Sequence, residues 1–104
     1  MKNQEQQILD KIEIIISNVI TEANELKEMF DVAGNEKFNT KMGKFSLSQL
    51  INPKKLDIQG FIGLIALMGH KEKVFGNLPQ DVIQVVCVNM YGEKLNQELK
   101  NIFG

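Results

Sequence analysis

Apolar residues fall at Leu9, Ile12, Ile16, Val19, Ala23, Leu26 and Phe30, in an unbroken alternation of three- and four-residue steps. That spacing places all seven side chains along one stripe of an α-helix, so residues 4 to about 30 are predicted to form one long amphipathic helix. A flanking row of Ile8, Ile15 and Met29, interrupted by the charged Glu22, widens the stripe together with Ile20. A stripe this broad must pack on more than one neighbour, which favours a bundle over an isolated coiled coil. Gly34-Asn35 reads as the stop, because both residues tolerate the left-handed conformation that ends helices.

After that stop, residues 36–45 are poor in apolar side chains and rich in lysine. Phe38, Thr40 and Met42 alternate as a strand would, with Gly43 as a turn, but the segment is read as a loop, the hairpin near 37–47 being the alternative. Ser46-Leu47-Ser48-Gln49 fits a capping box and predicts a short helix that ends at Asn52-Pro53. Asp57 reads as the cap of a third helix that is apolar almost all round, and therefore central. Gly60 and Gly63 within it are expected to mark a helix crossing, since close approach would offset their poor helix propensity. A fourth helix is expected to open at Asn77-Leu78-Pro79-Gln80 and to bend near Gly92, despite the β-branched run Val82, Ile83, Val85, Val86 and Val88. The expected fold is an all-α bundle of about four helices forming one domain over 1–104. Its core would be built around Phe61, Ile62, Ile65, Val82, Ile83 and Val86.

Composition narrows the function. In 104 residues, 43% are apolar and 24% charged, as in ordinary globular chains, and one core is all that this length supports. The net charge is −1, and the 12 basic residues are all lysine. The bidentate fork that arginine offers to phosphate, carboxylate or guanine is therefore missing. Charge is unevenly placed: residues 1–36 carry 3 lysines against 8 acids, a net of −5, whereas 37–73 carry 7 lysines against 2 acids, a net of +5. One cysteine cannot make an internal disulfide, which points to a reducing, cytoplasmic setting. The polar N-terminal run and the charges at Asp10, Lys11 and Glu13 do not resemble a signal peptide. No apolar run approaches the roughly 20 residues that span a bilayer, so no membrane association is expected.

No motif for a nucleotide, calcium or zinc is found, and no cofactor or metal is expected. Cys87 lies among valines and reads as a small buried apolar group, not as a nucleophile served by His70. Asp10, Glu13, Glu25 and Glu28 read as a solvated helix face, and Glu22 as an edge position with its carboxylate in water. A helix-turn-helix fails on chemistry, because the helix after Asp57 would offer base edges little besides Gln59. By elimination, the chain is expected to be a non-enzymatic protein-binding module, such as a small adaptor, inhibitor or assembly-chaperone-like protein. It would self-associate as a homo-oligomer through Leu9, Ile12, Ile16, Val19 and Leu26. The competing expectation is a nucleic-acid or nucleotide binder using the lysines of 37–73, with Lys37, Lys41, Lys44, Lys54 and Lys55 as the anion-binding set.

Overall fold

The computed structural model describes residues 3–104; Met1 and Lys2, part of the polar N-terminal run, lie outside it. A 30-residue helix, α1 (Gln4–Ala33), is followed by the strands β1 (Lys37–Thr40) and β2 (Gly43–Ser46) and the single-turn helix α2 (Leu47–Leu50). A 3-10 turn (Pro53–Lys55) leads to α3 (Ile58–Leu67), α4 (Lys71–Phe75), α5 (Gln80–Gln84), a π-helical turn (Val85–Met90) and α6 (Gly92–Phe103). The fold is mainly helical. At 1.5 Å per residue α1 is about 45 Å long, which accounts for most of the 49 Å long axis of a molecule only 26 × 21 Å across.

Capping sets the boundaries. Asn3 accepts from the Gln6 amide at the start of α1, and Asp57 accepts from the Gly60 amide at the start of α3. The box at Ser46 closes in both directions, with Ser46 Oγ taking the Gln49 amide and Gln49 Oε1 taking the Ser46 amide. α1 does end at Gly34, but not through a left-handed residue, since Gly34 has φ −58 and ψ −28. Close approach is what requires glycine there: an added Cβ would lie 2.7 Å from the Phe30 carbonyl and 3.3 Å from Ser48 Oγ. Ser48 binds the Gly34 carbonyl through both its amide and its hydroxyl, tying the end of α1 to α2.

The segment expected as a loop is the hairpin. Phe38 pairs with Phe45 across it, and Thr40 pairs with Gly43 beside the Lys41-Met42 turn. Gly43 there has φ +120, a value that side chains resist. The cross-strand aromatic pair, together with Thr40 Oγ1 bonding the Gly43 carbonyl and the Met42 amide, offsets the few apolar residues. The crossing expected at Gly60 and Gly63 is absent: a Cβ on Gly63 would meet nothing within 4 Å, and one on Gly60 would meet only Asp57 and Leu56.

The expected fourth helix is divided. Its first element begins at Gln80 with Pro79 as cap residue, leaving Asn77 outside, and a separate turn of helix, α4, precedes it. The ladder then widens to a π-helical turn closed by the Tyr91 amide on the Val86 carbonyl, and the bend falls at Tyr91-Gly92. A run of β-branched residues crowds an α-helical ladder, and the wider turn relieves it.

The core is a single cluster. Ile16, Val19, Ala23 and Leu26 of α1 meet Phe61, Ile62, Leu64 and Ile65 of α3, Val74 and Phe75 of α4, and Leu95, Leu99 and Phe103 of α6. Ile83, Val86 and Cys87 close it, while Val82, expected in the core, is exposed. Asn96 of α6 accepts the Ile58 amide at 2.7 Å and fixes the start of α3 on α6.

Candidate functional site

The residues expected to form a self-association seam divide along α1. Ile16, Val19 and Leu26 are buried in the chain's own core and offer no free surface; Ile12 is half-buried, and Leu9 is exposed. The same stripe that packs the bundle from Ile16 onward thus continues uncovered toward the N-terminus, through Ile12 and Leu9 to the flanking Ile8. Ile8 and Leu9 are 52 and 47% exposed there, and Ile14, on another side of the helix, is 60% exposed. A contiguous apolar surface left open in this way is a mark of an interaction site. Ile8 was legible as part of the flanking row. Ile14 was not, because it lies off the stripe and faces a shallow cavity of about 460 Å³ shared with Ile15, Phe75 and Leu78.

The lysines of the anion-binding expectation are exposed and dispersed over different elements. Lys37 and Lys44 are in β1 and β2, Lys41 is in the hairpin turn, and Lys54 and Lys55 are in the 3-10 turn. Lys41 lines one cavity with Lys71 and Glu72, whereas Lys55 lines another with Leu56, Asp57, Gly60 and Gly63. The structure does not gather them into one cradle.

Glu22 is the clearest departure from expectation. It is 4% exposed, inside the packed surface and not at its edge. Its Oε1 lies 2.5 Å from His70 Nδ1, which donates to it, and its Oε2 lies 3.2 Å from Lys73 Nζ. Lys73 also reaches Glu25 at 2.8 Å, and Asn18 donates to the Val74 carbonyl at 3.2 Å. These contacts clamp α1 to α4 at the α3–α4 corner. Asn18, Glu22 and Glu25 are spaced to share one side of α1, but their partners are some 50 residues away, so the sequence carries no signal for the cluster. The other acids of the expected solvated face behave differently: Glu13 and Glu28 are exposed, and Asp10, half-buried, accepts from Gln6.

Cys87 is fully buried, and burial pushes its thiol up to about 11. Thiolate is the reactive form, so native Cys87 is chemically quiet. Labelling by a thiol reagent at neutral pH should be at least about a hundredfold slower than in denaturant; equal rates would place the thiol at the surface. Among the described residues, no group of three or more His, Cys, Asp or Glu side chains is placed to hold a metal ion. No helix among them is long and apolar enough to cross a membrane.

A groove of about 450 Å³ opens at the other end of α1, between its last turns and the start of β1. Met29, Val32, Ala33, Phe38 and Leu47 form its apolar lining, and Glu28, Glu36 and Lys37 its charged part. Among the described residues, apolar surface is thus exposed at both ends of the longest helix, besides Val82, Val85 and Met90 on α5 and the π-helical turn.

Comparison with known proteins returns no matching protein family, no similar curated protein and no similar solved structure.

Proposed function

We propose that this chain is a non-enzymatic protein-binding module, of the kind that serves as a small adaptor, inhibitor or assembly-chaperone-like protein, and that it self-associates through the first turns of α1. The observation that carries this reading is the core stripe of α1 outrunning the bundle, with Leu9 of the stripe and Ile8 of the flanking row left in water while Ile16 and Val19 further along are buried. A second copy supplies a surface of the same pattern, and two such stripes pack antiparallel about a two-fold axis, each covering the other. The lone thiol of Cys87 suits a reducing compartment, and with it a cytoplasmic role.

Light scattering at micromolar concentration tests this reading. The wild type should exceed the monomer mass of 11.8 kDa. Replacing Ile8 and Leu9 together by aspartate should lower that mass while leaving the circular dichroism unchanged, since neither residue belongs to the buried core. A wild-type mass of 11.8 kDa would sink the idea.

A further inference from the structure

The seam proposed on α1 is short. Only the first turns of the helix stand clear of the bundle, since Ile12 is half-buried and Ile16 buried. A coil held by its heptads alone needs about three or four of them, so a dimer built there must bury something besides Ile8, Leu9 and Ile12. Two observations point to where that contact falls. First, the three- and four-residue steps of the stripe extend one place further toward the N-terminus: Glu5 lies four residues before Leu9, on the same side of α1. It is exposed and takes no part in the ion pairs formed among the described residues. Second, a cleft of about 400 Å³ opens where the bundle begins to cover the stripe, between α1 and the start of α6. Ile16, Ile20 and Tyr91 supply its apolar lining, and Glu13 and Lys94 its charges. Lys94 is exposed and likewise outside those ion pairs.

We propose that the cleft between α1 and α6 receives the first turn of α1 from a second copy, with Glu5 of each copy paired to Lys94 of the other. The proposal rests on the self-association reading and adds to it a register and a contact outside α1.

Register carries the proposal. Two antiparallel stripes with Leu9 of one copy opposite Ile12 of the other set Glu5 opposite Ile16, one four-residue step further along each helix. Ile16 lines the cleft that holds Lys94. The one acid on the open stripe therefore arrives beside a lysine that its own chain leaves out of its ion pairs. A parallel seam would set Glu5 against Glu5 and bring both bundles to the same end. The antiparallel seam places the bundles at opposite ends, and its two-fold symmetry makes the Glu5–Lys94 contact twice. Glu13 is the other charged group of the cleft, and without Lys94 it would repel the incoming Glu5. The lysine thus decides the sign of the contact.

Sedimentation equilibrium of the full chain in the micromolar range tests the pairing. Lys94→Glu should weaken the dimer by about tenfold or more, the equivalent of 1.4 kcal/mol, because two contacts are lost and each incoming Glu5 then meets two carboxylates. Adding Glu5→Lys should restore the wild-type dimer. Glu28→Lys in place of Glu5→Lys restores the net charge without the contact, and should leave the dimer weak. Glu5, Glu28 and Lys94 are all exposed, so circular dichroism should be unchanged in each variant.

A wild type of monomer mass would overturn this contact together with the seam. A dimer that dissociates with Ile8→Asp and Leu9→Asp, yet ignores Lys94→Glu, would overturn the contact alone and leave the seam standing. Failure of Glu5→Lys to rescue, or equal rescue by Glu28→Lys, would also overturn the pairing, the latter because net charge alone would then account for the effect.

Discussion

Phe61→Ala should destabilise the fold by about 3–5 kcal/mol, a large share of the roughly 5–15 kcal/mol that holds a domain of this size together. Phe61 is fully buried near the start of α3, in the same cluster as the α1 stripe and the buried faces of α4 and α6. Deleting its ring removes apolar transfer energy and leaves a cavity that helices anchored at several points cannot close. The anchors are the capped ends of α3 and the bond from the Ile58 amide to Asn96. A fall in melting temperature of roughly 15 °C or more is expected. Phe61→Leu should cost much less, because it keeps most of the volume. A loss below about 1 kcal/mol for the alanine variant would mean that α3 is not central to the core.

The same residue shows what the sequence reveals and what it does not. Phe61 was legible as core because α3 is apolar on nearly every side, and the α1 stripe because seven residues repeat without a gap. Both are local periodicities. Helix starts were legible where one side chain caps its own chain, as at Ser46 and Asp57. The failures share another cause. Gly60 and Gly63 suggested a crossing, but whether a helix passes over them depends on packing far away in sequence, and none does. The hairpin was obscured because its stability comes from a cross-strand pair and from the bonds of Thr40, not from apolar alternation. The interface set mixed buried and exposed residues because the heptad continues from Leu9 to Phe30 while the bundle covers only part of it, and nothing in the repeat marks where the cover begins. Glu22 was misplaced for the same reason: its partners, His70 and Lys73, come from another part of the chain.

Glu22 accordingly provides the other large expected effect. A carboxylate removed from water is costly unless every lone pair is occupied, and Glu22 relies on His70 at Oε1 and Lys73 at Oε2. His70→Leu removes one partner and leaves the buried charge half satisfied, which should destabilise by about 2–4 kcal/mol. Glu22→Leu removes the charge itself. His70 keeps access to water and Lys73 keeps Glu25, so this loss should be under about 1 kcal/mol. The double variant Glu22→Leu with His70→Leu should recover most of what His70→Leu loses, since replacing both partners of a hydrogen-bonded polar pair by apolar groups of similar size costs little. Urea titration of the three variants measures this coupling, and a double variant no better than His70→Leu would refute it. The pH dependence carries a sign of its own. The hydrogen bond from Lys73 and its charge hold Glu25 below its ordinary 4.5, so what Glu25 contributes is whole above that value and is lost as pH falls through the lowered one. Hydrogen bonds to Glu25 and Glu22 hold Lys73 above its ordinary 10.5, so its contribution is whole below 10.5 and is lost as pH rises through the raised value. Glu22→Leu should therefore shrink the alkaline loss of stability while leaving Glu25 its partner, which keeps the acid-side dependence on Glu25 in place.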